Sequence, residues 1–172
     1  MSAIDDKYFA LGGPNGFLGQ PVDTGAGSQE METANHRGRF RDFAGGTICW
    51  SPETGAFEVH GEIRVKWAQF RGELGFLGFP LTDELPTPDG RGRYNHFQGG
   101  SIYWTPETGA HEVHGAIRRQ WADMGWERSW LGYPTSDEMS TPDGHGRYSE
   151  FQRGIIHWTP EGGTVVKERA NM

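Results

Sequence analysis

A period of 54 residues constrains this chain more than any other feature. Leu77-Gly78-Phe79-Pro80 returns as Leu131-Gly132-Tyr133-Pro134, Phe97 as Phe151, Ile102 as Ile156 and Trp104 as Trp158. An earlier copy reads Leu18-Gly19-Gln20-Pro21, then Phe43, Ile48 and Trp50, with five extra residues between its Leu-Gly and its Phe. Those extra residues fall between Asp23 and Asn35 and suit a lengthened surface loop. Repetition at such a period builds stacked supersecondary units, none able to bury its apolar face alone. The pattern inside one unit therefore sets the fold class.

Arg93 to Phe97 and Ser101 to Thr105 alternate as strands around Gln98-Gly99-Gly100. Pro106-Glu107-Thr108-Gly109 has turn chemistry, and Ala110 to Val113 makes a third strand. Ile117, Trp121 and Met124 then follow the i, i+4, i+7 spacing of one helix face, as do Ile63, Trp67 and Phe70 and, at the N-terminus, Ile4, Tyr8 and Leu11. The expected fold is α+β, a single domain over residues 1–172. It comprises three tandem repeats, approximately 1–58, 59–112 and 113–172, each a short antiparallel β-meander plus one short helix. The third meander ends near Lys167-Glu168 with no helix after it, while one helix precedes the first meander. The simplest use of that displaced N-terminal helix is to complete the last repeat and close the array into a pseudo-three-fold ring, which leaves no raw end.

Composition narrows function. Only 34% of the residues are apolar, but 27 glycines and 13% aromatics point to burial by a few large side chains between many turns. A formal charge of -7 without a basic run argues against nucleic acid and anionic membranes as partners. No stretch approaches the roughly 20 apolar residues that span a bilayer, so no membrane insertion is expected. No leader opens the sequence, which leaves a removed leader and a cytoplasmic location both open. Cys49 has no second cysteine to pair with, and it stands where the other copies have Tyr103 and His157, at a strand position pointing away from the core. No nucleophile elbow or phosphate-cradling loop is present, and the paired acids are neighbours in sequence rather than groups facing one bond. The chain is expected not to be an enzyme and to need no cofactor. Seven scattered histidines lack ligand spacing, and the Asp-Gly-x-Gly loops lack the ladder of acids in an EF-hand. No metal is expected, with a structural calcium as the alternative.

Recurrence sorts the remaining positions into two classes. Present in all three copies are the aromatic before Leu-Gly, Leu-Gly-x-Pro itself, the triplets Gly38-Arg39-Phe40, Gly92-Arg93-Tyr94 and Gly146-Arg147-Tyr148, and the later Gly-x-Ile-x-Trp. These read as scaffold, with Trp50, Trp104 and Trp158 in the core and sugar stacking as the alternative for the three tryptophans. The second class is intact only twice. Asp83-Glu84 and Asp137-Glu138 stand against Thr24-Gly25, and Thr87-Pro88-Asp89-Gly90 and Thr141-Pro142-Asp143-Gly144 against Thr33-Ala34-Asn35-His36. Glu58-Val59-His60-Gly61 and Glu112-Val113-His114-Gly115 have no complete third copy. Loss in one unit implies that the scaffold tolerates it, which makes these residues candidates for ligand contact. Turn and capping roles are the plainer reading.

The ordered set Leu77-Gly78-Phe79-Pro80, Thr82-Asp83-Glu84, Asp89-Gly90, Phe97 to Trp104 and Val113-His114-Gly115-Ala116-Ile117 with Trp121 resembles the LGFP repeat family over nearly the whole chain. Such repeats are often attached to actinobacterial cell-envelope proteins, including mycoloyltransferases and amidases, where they are thought to tether the protein to wall polysaccharide. The resemblance implies a non-catalytic, lectin-like binder of glycan or polysaccharide in an extracellular or cell-envelope setting. A sugar needs an aromatic face and polar groups that fork onto hydroxyls. The candidates are Asp83, Glu84, Asp89, Arg91, Arg93, Tyr94, Tyr103, Glu112, His114, Trp126, Asp137, Glu138, Asp143, Arg147 and Tyr148, gathered in crevices between adjacent repeats. Trp126, opposite Gly13 and Gly72 in the other copies, is either an exposed platform or packed under its loop. The rival reading is a protein-interaction or structural module, and the oligomeric state is left open.

Overall fold

The computed structural model describes residues 2–22 and 29–169. Thr24-Gly25, set above against the Asp-Glu pairs, lies outside the described residues. The first repeat contains α1 (Ala3–Ala10), β1 (Met31–Glu32), β2 (Arg39–Phe43), β3 (Gly46–Ser51) and β4 (Gly55–His60). The second contains α2 (Gly61–Gln69), β5 (Leu85–Pro86), β6 (Arg93–Phe97), β7 (Gly100–Thr105) and β8 (Gly109–Val113). The third contains α3 (Gly115–Met124), β9 (Met139–Ser140), β10 (Arg147–Glu150), β11 (Gly154–Thr159) and β12 (Gly163–Glu168). Each repeat is thus one helix and a four-stranded sheet with its strands in sequence order. The two-residue first strand of each sheet is an addition to the three strands read from the sequence.

One arrangement of side chains explains the helix-then-sheet unit. Every helix buries an Ile and, four residues on, an aromatic: Ile4 and Tyr8, Ile63 and Trp67, Ile117 and Trp121. The aromatic reaches the Leu-Gly turn with its polar atom. Tyr8 donates from its hydroxyl to the Gly19 carbonyl at 2.7 Å, and the Trp67 and Trp121 indoles donate to Gly78 and Gly132, each at 3.1 Å. Its ring packs on the hairpin Phe of the same repeat, with centroids 4.4 Å apart for Tyr8 and Phe43, 5.7 Å for Trp67 and Phe97, and 5.3 Å for Trp121 and Phe151. Each helix therefore organises the sheet that follows it.

This corrects the role expected of the N-terminal helix. The buried face of α1 joins Leu18, Phe43 and Ile48 in the core of the first repeat. The last sheet has its own helix, because Ile117 and Trp121 of α3 pack with Phe151 and Ile156. No helix is displaced, and the reason for invoking closure by α1 disappears.

The chain forms two compact units, residues 1–85 with 95–98, and residues 86–94 with 99–172. Inside the second unit α3 packs on both sides, against Tyr103 and Val113 as well as against Phe151 and Ile156. Helix α3 thus covers the Tyr103 face of β7, and both faces of the strand are buried, with Ile102 at 0% and Tyr103 at 3% exposure. The expectation that Tyr103 points outward is overturned: alternation separates core from solvent only where one face of a sheet is wet. Cys49, at the same position of β3, is also buried. A second correction concerns the aromatic before Leu-Gly. Phe17, Phe76 and Trp130 are all about half exposed, so this recurring position is surface rather than scaffold core.

Candidate functional site

The acidic and histidine motifs meet where one repeat joins the next. In the first unit the Glu58 N–H donates to Asp83 Oδ1 at 3.0 Å and the Glu84 N–H to Glu58 Oε1 at 2.8 Å. His60 lies between the two glutamates, with Nδ1 2.7 Å from Glu58 Oε2 and Nε2 2.7 Å from Glu84 Oε2. Lys7 reaches the other oxygen of Asp83 at 2.9 Å. The second unit repeats the design. The Glu112 N–H donates to Asp137 at 3.0 Å, the Glu138 N–H to Glu112 at 2.9 Å, and His114 bridges Glu112 at 2.7 Å and Glu138 at 3.0 Å.

A histidine with a carboxylate on each ring nitrogen donates twice, which requires the imidazolium. Hydrogen bonds to Glu58 and Glu84 push His60 up to about 9, outweighing the opposing effect of burial. Glu112 and Glu138 do the same for His114, also to about 9. Burial tends to raise Glu138, but His114 and Arg147 more than offset it and leave that carboxyl below its usual range.

A second joint uses the third residue of Leu-Gly-x-Pro. The Tyr133 hydroxyl donates to Asp89 Oδ1 at 2.7 Å and lies 2.8 Å from Thr87 Oγ1. Asp89 also accepts the Thr87 hydroxyl at 2.7 Å and the Arg91 N–H at 2.9 Å, and these donors hold its carboxyl below the usual range against burial. In the first unit the Phe79 ring lies so close to Gly38 that an added Cβ there would come within 2.8 Å of it. The x residue thus plugs the loop of the preceding repeat. The turn itself is self-contained: Asp143 accepts from Thr141 and the His145 N–H, and Asn35 accepts from Thr33 and the Arg37 N–H.

These joints account for the twice-only motifs. Val166 and Glu168 of β12 stand where Glu112 and His114 do, and no Asp-Glu loop follows β12 in this sequence. Gln20 replaces the plug in the first copy, which has no repeat before it in this sequence. The glutamate of the Asp-Glu loop is nevertheless present three times. Glu30, immediately before β1, accepts from Arg39 Nε at 3.0 Å as Glu138 does from Arg147 at 2.9 Å, and the Ser2 hydroxyl bonds it at 2.6 Å. Glu30 escapes a count forward from Leu-Gly because the extra residues intervene. Counting back nine positions from the Gly-Arg-aromatic arginine finds Glu30, Glu84 and Glu138 alike.

The aromatic candidates gather separately. Tyr94 stacks on Tyr103 at 5.0 Å, and Trp126 packs against Tyr103 at 5.9 Å and Trp121 at 5.3 Å. Of its two sequence readings, Trp126 takes the packed one. Tyr148 stacks on His157 at 5.7 Å. Arg93 is half-buried, while Arg91 and Asp143 are exposed.

Three of the sequence candidates do line an open concavity. A cleft of about 240 Å³ is bounded by His114, Gly115, Ala116, Ile117, Glu138, Arg147 and Trp158. Arg147 and Trp158 are directly opposed on β10 and β11, so they share one face of the sheet. Arg147 is steadied by Glu138 and by Ser140 at 2.7 Å. The result is an apolar floor with an indole, rimmed by a guanidinium, an imidazolium and a carboxylate. Such a site can cover one face of a saturated ring while donating to and accepting from its hydroxyls. Trp158, assigned to the core from its recurrence, is half-buried and contributes here. Among the described residues no helix is long and apolar enough to cross a membrane.

The sequence profile of the LGFP repeat matches residues 18–75, 77–129 and 131–170. No match was found among curated proteins.

Proposed function

This chain belongs to the LGFP repeat family, and from that premise we propose that it is a non-catalytic, lectin-like glycan-binding protein of the cell envelope or extracellular space. Its ligand class is polysaccharide, and its site is the cleft of His114, Glu138, Arg147 and Trp158. The observation that carries this reading is the pairing of an accessible indole with a fixed Arg–Glu pair in one cleft. An aromatic ring takes the apolar face of a sugar, and a guanidinium held by a carboxylate offers donors at defined positions. The first repeat holds the counterparts Ser2, Glu30, Arg39 and Trp50, with Arg39 and Trp50 again opposed across strands. Weak sites used more than once gain by avidity on a polymer.

Half-exposed Phe17, Phe76 and Trp130, placed alike in each repeat, favour a second reading in which the repeats dock a partner protein. A glycan array separates the two. The glycan reading expects binding by the intact chain and its loss in Trp158→Ala. An array with no glycan retained supports the partner-protein reading instead.

A further inference from the structure

Beside the helices α2 and α3 the two repeat joints differ in the volume of aromatic rings. In the second unit the space beside α3 is filled by Trp126. Its ring lies under the Arg118 guanidinium at 5.0 Å, edge-on to Trp121, and against Tyr103, itself stacked on Tyr94. In the first unit the counterparts 54 positions earlier are Gly72 for Trp126 and Cys49 for Tyr103, while Arg64, Trp67 and Phe40 remain for Arg118, Trp121 and Tyr94. Two large rings are missing from an otherwise retained frame. A cleft of about 260 Å³ stands there, lined chiefly by Phe40, Arg64, Trp67 and Gly72.

We propose that this cleft beside Gly72 binds a small, neutral, planar aromatic molecule of about the size of indole, seated where Trp126 sits in the second unit. The backbone supports the correspondence. Gly72 and Trp126 hold nearly the same left-handed conformation, with φ of 57° and 59°. The guanidinium is positioned alike, since Arg64 Nε donates to Thr47 Oγ1 at 2.7 Å and Arg118 Nε to Ser101 Oγ at 2.9 Å. Arginine over an aromatic face is attractive, and a cavity of about 150 Å³ already accommodates benzene. Arg64 and Arg71 balance Asp42 and Glu73 around the cleft, which favours a ligand without net charge. Cβ on Gly72 would meet the Trp67 ring at 3.7 Å, an ordinary contact, so the cleft has room for a side chain in place of the ligand.

Indole itself is the probe, titrated into the intact chain by NMR with the resonances of Arg64, Trp67 and Gly72 followed. Wild type is expected to bind one equivalent there. Gly72→Trp, which supplies the missing ring, should weaken that binding more than tenfold, and Arg64→Met should weaken it several-fold without filling the space. Trp126→Gly opens the sister position and should gain a second equivalent, which also proves the assay. Saturable binding in Trp126→Gly with none at Gly72 in wild type would overturn the proposal, as would affinity unchanged in both Gly72→Trp and Arg64→Met.

Discussion

The histidines of the two joints carry a charge that ordinary histidines lose near neutrality. His60 and His114 have folded-state values of about 9 against an unfolded value of roughly 6.5. A raised folded value means that their contribution to stability is complete below about 6.5 and is lost as pH climbs through about 9. The melting temperature is expected to fall between pH 6.5 and 9.5, and the double variant His60→Gln, His114→Gln should flatten that slope. Equal slopes in scanning calorimetry would show that the bridges contribute nothing. Glu112, at 1% exposure, accepts from His114 and from the Glu138 N–H, and its replacement by Gln should cost about 2 kcal/mol in urea unfolding. Tyr133→Phe, which removes only the hydroxyl on Thr87 and Asp89, should cost about 1 kcal/mol.

Among the elements, α1 is the one whose use changed most between sequence and structure. Its Ile4 and Tyr8 were legible as a helix face from spacing alone, and the capping box of Ser2 with Asp5 agrees with a helix starting there. Which sheet that face covers was not legible, because all three hairpins present the same Phe and Ile to any helix. Tyr8 stacks on Phe43 and bonds Gly19, so Tyr8→Ala should destabilise the first repeat by about 3–4 kcal/mol. Loss of near-UV circular dichroism with retained signal from the third repeat's tryptophans would fit that assignment; an unchanged unfolding midpoint would not. Strand β7 failed for a different reason. Period-two alternation places Ile102 and Tyr103 on opposite faces correctly, but both are buried, Tyr103 against α3. His114 and Glu138 were legible as candidates from recurrence and Arg147 only from its side-chain chemistry, since its triplet recurs in all three copies; Trp158 was obscured by the reading of recurring tryptophans as core, and Glu30 by the inserted residues before it.

Across the whole molecule the twice-only motifs turn out to mark neighbours. A joint needs a donor repeat and an acceptor repeat, and three consecutive repeats contain two such joints: Glu58-His60 with Asp83-Glu84, and Glu112-His114 with Asp137-Glu138. Most of the acidic candidates are therefore engaged in holding repeats together. The cleft proposed for recognition lies at Trp158, where the joint's own His114 and Glu138 become its rim. The most direct measurement is a calorimetric titration of a soluble wall polysaccharide into wild type and into Trp158→Ala with Arg147→Ala, with folding of the variant checked by its melting curve. Saturable heat in wild type, reduced at least tenfold in affinity in the folded variant, is the expected result; equal affinity in both proteins would contradict the assignment of glycan binding to this cleft.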